Sequence, residues 1–591
     1  MLSILFHKPR GNLLFSILFI LILTQCGPRH LPPGDPDLGG LQVPNGFEVV
    51  VVADSVGKAR HLAVKNNGDV YVKLRYPQPE GENIALRDTD GDGKADIIKY
   101  WGDYGAKGNY GTAMRIHKGY IYVSTAGEVY RHKLSRKLMP SETAELLLID
   151  DYKNAEHGYE HIAKPITFDD QGHMYVPFGS PGDVCQIDNR RPGSPGQFPC
   201  PELEWHGGVW QFSDSKPNQL QKDGKRYATG IRSIVGMDWN HQERTLYALQ
   251  HGRDNMHRTS PDHFSPRQSA LLPSEELLRV DEGSDAGWPY VYYDQMKEQK
   301  LINPEYLNEA DAIRDPSTFT QPIIGFPGHF APNDLLFYDA DQFPEYYRHG
   351  AFVAFHGSTI RAPYPQAGYF IGFIPWQDGK LSTTWDVFAD GFAGVDTIIN
   401  TSDADHRPMG LALGPDGSLY ISESEKGKIW RVMFKGDKET FGADDLVAME
   451  KHKLLPHIKT PDEVLDNLDP VRAKAGAGLY NTYCGACHLA DGQGDGTRYP
   501  SLHNSARVSG DNDTLINILL QGLQGQIIVH GQAFDGVMPS FDYLENEQIA
   551  QILTYLRQSF GNEGPSINAG EVQRARRRLS RQAQRAQEED I

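Results

Sequence analysis

The chain has 591 residues, too many for one hydrophobic core, so two or three folded units are expected. Its formal net charge of −19 argues against nucleic acid as a partner, because phosphate binding needs a basic face. The 60 glycines and 38 prolines follow no fixed period, which excludes collagen and favours a turn-rich protein.

The N-terminus is predicted to be a targeting segment. Lys8 and Arg10 precede an uncharged, apolar stretch at residues 13–25. That stretch is short for a membrane span but has the length of the apolar region of a signal peptide. The sequence therefore predicts export, and we expect residues 1–26 to be a signal peptide.

The end of this segment resembles the lipobox of bacterial lipoproteins. Residues 23–26 read Leu-Thr-Gln-Cys, although Gln25 stands where that pattern usually has a small residue. The resemblance implies a lipid on Cys26, an anchor in a bacterial membrane, and a periplasmic or cell-envelope location. Ordinary secretion and an uncleaved anchor are the alternatives. The Pro- and Gly-rich residues 27–41 are expected to be a tether.

A strand–turn–strand phrase recurs along the next 400 residues. Each copy alternates apolar and polar residues, turns at Gly, Asp or Asn, and ends in an aromatic–aliphatic pair. The copies occupy residues 61–74, 113–134, 165–180, 234–252, 335–358 and 409–434. Six copies without a long amphipathic helix between them predict a six-bladed β-propeller over residues 42–435. The alternative is a set of unrelated β-hairpins.

An acidic loop at residues 88–96 stands apart from the other motifs. It carries oxygen donors at its positions 1, 3, 5 and 9, namely Asp88, Asp90, Asp92 and Asp96. Hard oxygen ligands at alternate positions around a glycine turn suit calcium. The loop is not a complete EF-hand, because Lys99 stands where the last Glu would be. We predict a structural calcium site, with a solvated acidic turn as the alternative.

The two-residue period is lost after about residue 440. Residues 436–470 read as a linker, and apolar residues then recur at helical spacing, which predicts a small all-α domain over residues 471–561. Residues 562–591 are rich in arginine and poor in apolar residues. We expect a charged, solvated tail there, with a docked helix as the alternative.

The helical domain contains the motif Cys484-Gly-Ala-Cys487-His488. This C-x-x-C-H spacing is the signature of covalent c-type haem attachment. Two thiols one helical turn apart reach the two vinyl groups of one haem, and His488 then binds the iron. A redox-active cysteine pair or half of a zinc site is the alternative, but no second C-x-x-C pair completes a zinc site.

Residues 471–561 resemble class I cytochromes c. Proteins of that family take their sixth iron ligand from a Met before the last helix. Val-Met538-Pro stands in that place here, and His530 is the alternative. A His/Met pair leaves the iron no open position, which favours electron transfer over oxygen chemistry.

The propeller segment resembles the soluble quinoprotein glucose/sorbosone dehydrogenases. The resemblance rests on phrases around His161, Gly230, Trp288, His356 and Arg407, which follow in the family's order over about residues 42–435. It implies a six-bladed propeller that binds pyrroloquinoline quinone (PQQ) and calcium. It also implies that His161 is the general base, since an imidazole can accept the substrate's hydroxyl proton near neutral pH.

The same resemblance implies the residues that hold the cofactors. For PQQ they are Asn109, Arg232, Arg361 and Arg407. Guanidinium groups bind carboxylates in pairs of hydrogen bonds, as a tricarboxylate requires. The backbone carbonyls of Gly252 and Arg253 are the implied ligands of a catalytic calcium.

Two cysteines remain after the haem pair and the lipidated Cys26 are assigned. Outside the cytoplasm, Cys185 and Cys200 are expected to form a disulfide.

These observations predict an exported quinohaemoprotein. It would oxidise a sugar or a related alcohol or aldehyde with PQQ and calcium, and pass electrons through haem c to a downstream acceptor. Three alternatives remain: a substrate outside the sugars, a propeller that has lost PQQ and acts as a binding module, and an electron-transfer partner without catalysis.

Overall fold

The computed structural model describes residues 31–105, 110–151, 160–461 and 470–589. The predicted signal peptide, Cys26 and Asn109 lie outside these residues. Among the helices of the described ranges, none has both the length and the hydropathy needed to cross a membrane.

Six antiparallel sheets follow one another between residues 47 and 434, and they confirm the predicted six-bladed β-propeller. The first blade contains β2 (Ala59–Val64), β3 (Val70–Gln78), β4 (Gly81–Arg87) and β5 (Ile97–Trp101). The second contains β6 (Met114–His117), β7 (Tyr120–Ser124), β8 (Glu128–Lys133) and β9 (Glu145–Ile149), and β13 (Gln219–Leu220) adds to its edge in parallel. The third contains β10 (Thr167–Phe168), β11 (His173–Phe178), β12 (Gly208–Ser213) and β14 (Lys225–Thr229).

The remaining blades are built in the same way. The fourth contains β15 (Ile234–Asn240), β16 (Thr245–Gln250), β17 (Glu275–Val280) and β20 (Ile324–Phe326). The fifth contains β21 (Pro332–Phe337), β22 (Ala351–Phe355), β23 (Phe370–Ile374) and β26 (Asp386–Ala389). The sixth contains β27 (Pro408–Leu413), β28 (Leu419–Glu423), β29 (Ile429–Phe434) and the first strand of the domain, β1 (Phe47–Ala53).

The ring closes because β1 completes the blade that ends the domain. It pairs antiparallel with β29, so that Phe47 lies opposite Phe434 and Val51 opposite Trp430. The alternate apolar residues of each strand face the neighbouring blades, and buried aromatic side chains fill the space between the fifth and sixth blades.

Insertions between strands carry the remaining elements of the propeller. They are two small hairpins, β18 (Val291–Asp294) with β19 (Gln299–Ile302) and β24 (Trp376–Gln377) with β25 (Lys380–Leu381), and two short helices, α1 (Met256–Thr259) and α2 (Pro266–Ser269).

The segments on either side of the propeller differ from the tether and linker that we expected. From Pro32 onward the N-terminal segment is packed on the sixth blade, where the Trp430 indole donates to the carbonyl of Gly39 at 2.9 Å. After the propeller, α3 (Ala443–Glu450) begins a segment that buries Met449 and Ile458 against the fifth blade. A few apolar side chains among polar residues are enough to hold such a segment, and they form no period that a sequence pattern reveals.

The C-terminal domain is helical, as predicted. Its helices are α4 (Pro470–Tyr483), α5 (Gly485–His488), α6 (Ala506–Ser509), α7 (Asn512–Gln521), α8 (Asn546–Arg557) and α9 (Ala569–Glu589). The structure adds one hairpin, β30 (Leu523–Val529) with β31 (Gln532–Met538), to the all-α domain that was expected. Helices α4 and α8 cross at Gly476, where a Cβ would lie 1.9 Å from the carbonyl oxygen of Gln551.

The predicted solvated tail is wrong for most of its length, because α9 is a docked helix. Val572 and Ala575 are fully buried in the core of the C-terminal domain, and Leu579 packs against it. These residues follow each other at intervals of three and four, so they share one face of a helix. The pattern was missed because three apolar residues stand among many arginines.

Candidate functional site

His161 lies in the propeller with only one of its ring nitrogens engaged. Nδ1 is 2.8 Å from the carbonyl oxygen of Ser180, which can only accept, so Nδ1 carries the proton. Nε2 has no hydrogen-bond partner among the described residues and keeps its lone pair. Burial, followed by the positive charge of Arg232, lowers the pKa of His161 well below its usual value. The imidazole is therefore neutral and able to accept a proton.

Arg232 is held beside this histidine by Asp183. Its Nη2 donates to Asp183 Oδ1 at 2.7 Å, and its Nε donates to the Asp183 carbonyl at 3.2 Å. Burial opposes the ionisation of Asp183, but Arg253 and Arg232 outweigh it and lower the pKa of this carboxyl to about 2. The backbone amide of Ser180 donates to the carbonyl of Arg232 at 2.8 Å. His161 and Arg232 are thus parts of one network, and their roles as base and PQQ ligand stay predictions.

Arg253 is the second guanidinium on Asp183. Its Nε lies 3.3 Å from Asp183 Oδ2, and its Nη1 and Nη2 donate to Glu305 at 2.8 and 2.9 Å. Asp183 and Glu305 were missed by sequence reasoning, because each is one acid among the 77 of the chain and only the fold places it against an arginine.

The expected catalytic calcium site lies next to this network. The Gly252 carbonyl, one of the implied ligands, accepts a 2.8 Å hydrogen bond from Arg232. Beside it, Glu275 accepts from the amide of Gly252 at 3.0 Å. Burial, assisted by the nearby Asp254 carboxylate, raises the pKa of Glu275 to about 8. A buried carboxyl beside a second acid and a backbone carbonyl is a donor set that suits calcium. Glu275 was also missed from the sequence.

A cluster of arginines forms another part of the site. Arg407 donates to the carbonyls of Gly357 and His356 at 2.6 and 3.2 Å. The buried Nε of Arg60 has no hydrogen-bond partner. Burial, and then the positive charges of Arg75 and Arg407, lowers the pKa of Arg60 to about 9. Within the described part of the chain, neither Arg60 nor Arg75 forms an ion pair.

This arginine cluster, defined by Arg60, Arg75 and Arg407, fits a ligand that carries several carboxylates. Like charges repel each other unless an anion offsets them, and here Glu425 lies 3.7 Å from Arg407 but pairs with neither Arg60 nor Arg75. An orphaned guanidinium nitrogen, such as Arg60 Nε, marks a missing acceptor. A tricarboxylate such as PQQ meets that requirement. Sequence reasoning found Arg407 but missed Arg60 and Arg75, which stand at ordinary strand positions of the first blade.

Arg361, the remaining predicted PQQ ligand, contacts backbone carbonyls of the protein itself. Its guanidinium donates to the carbonyl oxygens of Pro365 at 3.2 Å and Lys459 at 3.3 Å. Lys459 belongs to the segment that leads out of the propeller. Arg361 therefore contacts that segment, while its buried Nε has no hydrogen-bond partner, and PQQ binding by Arg361 stays a prediction.

The acidic loop joins β4 to β5 and brings three of its four predicted ligands together. Oxygens of Asp88, Asp90 and Asp96 lie within 4.8 Å of one another. Asp92 is not one of this group, and its Oδ1 accepts from the amide of Lys94 at 2.7 Å. Calcium binding by the loop stays a prediction, with three carboxylates rather than four.

Cys185 and Cys200 are joined by a disulfide, with an S–S distance of 2.01 Å. The loop that they close begins two residues after Asp183, and its Arg190 Nη2 lies 3.6 Å from Asp183 Oδ1.

The C-terminal domain presents the haem-attachment motif at the end of α4. Cys484 and Cys487 are free thiols, and the His488 Nδ1 donates to the carbonyl of Pro500 at 3.0 Å. That bond leaves Nε2 available for iron. Met538, the last residue of β31, packs on the same core cluster as Cys484. His530 lies in the hairpin turn, with its Nε2 2.9 Å from the carbonyl of His503. Met538 stays the predicted distal ligand.

Comparison with known families divides the chain at the same place. Residues 41–435 match the family described as TrAA12-like, and residues 473–560 match the family described as Cytochrome c. Cytochrome c-552 of Thermus thermophilus is 38% identical over 91 residues, which cover 15% of this chain and 69% of that protein. An uncharacterized protein of Borreliella burgdorferi is 26% identical over 221 residues, 37% of this chain, and the match spans only 51% of its length.

Solved structures with this propeller fold include two fungal proteins. One is the calcium structure of the Trichoderma reesei protein of Carbohydrate-Active Enzymes Family AA12, with 16% identity and a TM-score of 0.53, covering 67% of this chain and 97% of that one. The other is the holo PQQ domain of the Coprinopsis cinerea pyranose dehydrogenase, with 16% identity and a TM-score of 0.52, covering 68% and 98%. The chain belongs to the TrAA12-like family, and its propeller is followed by a cytochrome c domain.

Proposed function

We propose that the protein is a quinohaemoprotein dehydrogenase that oxidises a sugar or a related alcohol or aldehyde. The observation that carries the proposal is the neutral His161, whose free Nε2 stands in one buried network with Arg232. A base without an engaged lone pair is what hydride removal from a hydroxyl-bearing carbon requires, because the hydroxyl proton must leave as the hydride does.

The arginine cluster and Arg232 would hold PQQ through its carboxylates and its quinone oxygen. When bound, PQQ supplies the hydride acceptor. The Gly252 and Arg253 carbonyls, with Glu275 beside them, would hold calcium at the same place. His161 Nε2 takes the proton of the substrate hydroxyl, and the Ser180 carbonyl stabilises the imidazolium that results by keeping its hydrogen bond to Nδ1. The cytochrome c domain supports an electron path out of the enzyme.

The substrate class is proposed from the relatives. The pyranose dehydrogenase PQQ domain shares the propeller fold, and the cytochrome subunit of a fructose dehydrogenase from Gluconobacter japonicus is 34% identical over 110 residues, 17% of this chain and 22% of that protein. Both names point to sugars. Export is part of the proposal as well, since residues 13–26 support a lipid-anchored protein of the cell envelope.

Reconstitution tests the proposal directly. The full-length protein with covalent haem is incubated with PQQ and calcium, and haem reduction is then followed after addition of aldoses, alditols and simple aldehydes. We expect reduction by at least one sugar, dependent on both PQQ and calcium, and loss of it in His161→Ala. Absence of PQQ binding by the wild-type protein would contradict the catalytic proposal and leave the propeller as a binding module.

A further inference from the structure

In the described residues, the cytochrome c domain contacts the propeller at the loop between α1 and α2. The backbone amide of Ala506 donates to the carbonyl oxygen of Asp262 at 3.2 Å. The rings of His263 and His530 follow, with their centroids 6.3 Å apart. Asp262, Ala506, Ile528 and His530 line one cleft between the two domains.

On the propeller side, this loop is fastened to the candidate active site. Arg253, which shares Asp183 with Arg232, donates through Nη2 to Thr259 Oγ1 at 3.0 Å. Ser260 Oγ donates to Glu305, the other acid on Arg253, at 2.9 Å. The amide of His263 then donates to the carbonyl of Ser260 at 3.0 Å. A continuous set of hydrogen bonds therefore leads from the site to the contact with the cytochrome.

On the cytochrome side, a short segment of the chain connects the contact with His488, the predicted iron ligand. The segment 500–506 accepts the His488 Nδ1 proton at the Pro500 carbonyl, and its other end is the Ala506 amide that reaches the propeller. His503, in the middle of the segment, accepts from His530 at its carbonyl and bonds the Asp491 carbonyl through Nε2 at 2.6 Å. Seven residues thus connect the haem ligand to the propeller.

A charged pair stands at the edge of the contact. Lys297 Nζ, which follows β18, lies 3.6 Å from Glu563 Oε1 on the cytochrome domain. Both side chains are partly exposed, so the pair contributes little to stability by itself. The pair instead helps to orient the two domains, because complementary charges determine which surfaces meet.

We infer that the loop of residues 259–263 is the docking contact of the cytochrome c domain and the place where electrons leave the propeller for the haem. The inference rests on the proposed function. Oxidation of one substrate hydroxyl releases two electrons and two protons. A haem held by Cys484, Cys487 and His488 would accept the two electrons one at a time, and a downstream one-electron acceptor would reoxidise it after each. The protons go to solvent.

The kinetic test uses the full-length protein with haem, PQQ and calcium. Dehydrogenase turnover is measured with an added dye that accepts electrons from the propeller directly, and haem reduction is measured in the same samples by rapid mixing. His263→Ala, His530→Ala and Lys297→Glu are expected to slow haem reduction about 5-fold, as about 1 kcal/mol of lost contact would. Dye turnover should stay unchanged. His241→Ala, an exposed histidine paired with Asp170 on the propeller, is the control and should change neither rate.

Charge reversal provides a sharper control at the edge of the contact. The double variant Lys297→Glu/Glu563→Lys restores the pair and should recover most of the lost haem-reduction rate. Equal haem-reduction rates in wild type and all three single variants would overturn the inference while leaving the proposed dehydrogenase intact. If the wild-type protein shows no dye turnover, the proposed dehydrogenase function itself is contradicted.

A second measurement does not depend on turnover. Amide hydrogen exchange of the full-length haem protein, without PQQ, reports the Ala506–Asp262 bond. We expect slow exchange at Ala506 in the wild type and faster exchange in His263→Ala, with an unchanged haem spectrum in His530→Ala. Fast exchange at Ala506 in the wild type would overturn the docking contact, and a changed haem spectrum in His530→Ala would make that histidine an iron ligand instead.

Discussion

The His488 Nδ1 donates to the Pro500 carbonyl at 3.0 Å, and this bond orients the histidine of the haem motif. A backbone acceptor cannot be lost by side-chain replacement, and it fixes the tautomer that presents Nε2 to iron. The two thiols stand on the same turn, one buried and one half-buried.

This arrangement predicts covalent haem on Cys484 and Cys487. Acid–acetone extraction should leave the haem on the polypeptide of the wild type and of either single Cys→Ser variant, because one thioether suffices to retain it. The double variant should release it into the organic layer. Release from the wild type would contradict the assignment.

Met538→Ala is predicted to abolish the far-red absorption band of a Met–iron bond. Met538 packs on the core cluster that contains Cys484, whereas the Nε2 of His530 is engaged by the carbonyl of His503. His530→Ala is therefore the matched control and should keep the band. If the band survives in Met538→Ala, another residue is the sixth ligand of the haem iron.

His161→Ala is predicted to lose about 10² to 10⁴ in turnover, the usual cost of removing a general base. PQQ binding should remain, because the arginine cluster does not involve His161. Titration of PQQ binding and steady-state haem reduction separate the two effects. Nearly wild-type haem reduction in this variant would exclude His161 as the base.

The pH dependence of turnover follows from the depressed pKa of His161. A lowered pKa means that the neutral, proton-accepting form persists below pH 6.5, where an ordinary histidine is protonated. Turnover limited by this base should therefore stay level as the pH falls through 6.5 and decline only in more acidic solution. A decline centred at pH 6.5 or above would show that the base is a solvated histidine.

Arg60→Ala and Arg407→Ala are predicted to weaken PQQ binding by about 10- to 100-fold each, the loss expected for a hydrogen bond to a charged group. Turnover at saturating PQQ should fall less, since neither side chain touches the hydroxyl proton. Arg348→Ala, an arginine paired with Glu345 on the fifth blade, is the control. If Arg60→Ala binds PQQ as tightly as the wild type does, the arginine cluster is not the binding site of the cofactor.

If the acidic loop binds calcium, removal of calcium with a chelator should lower the melting temperature of the protein. Asp90→Ala should remove part of that response, because Asp90 is one of the three converging carboxylates. Asp92→Ala is the matched control in the same loop and should respond like the wild type. If Asp90→Ala also responds like the wild type, the loop is only an acidic turn.

The propeller could be predicted because its pattern is local. A strand of period two, a glycine or asparagine turn and a second strand are readable within about 20 residues, and six repetitions determine the number of blades. The haem motif is local as well, since Cys484, Cys487 and His488 stand within five residues.

Most of the site could not be predicted, because it depends on buried charges that meet only in the fold. Asp183 is 49 residues from Arg232 in the chain, and it has no pattern that distinguishes it from a surface residue. Glu275 was missed because it is the first residue of β17, and nothing in that strand's sequence distinguishes it from an exposed glutamate. Helix α9 was misread for the opposite reason, since Val572 and Ala575 are few among the arginines although their spacing is helical.

The pairing of β1 with β29 has a consequence for the order in which the molecule can be made. The first strand of the propeller emerges from the ribosome long before its partner, so its buried face stays without a neighbour until Phe434 has been synthesised. Closing so long a loop is entropically costly and makes the last blade slow to form. The cytochrome c domain lies entirely beyond that point in the chain. Its contact with the α1–α2 loop can therefore form only after Phe434 has been synthesised, and a truncation before residue 434 removes the end of the strand that closes the propeller together with the whole haem domain.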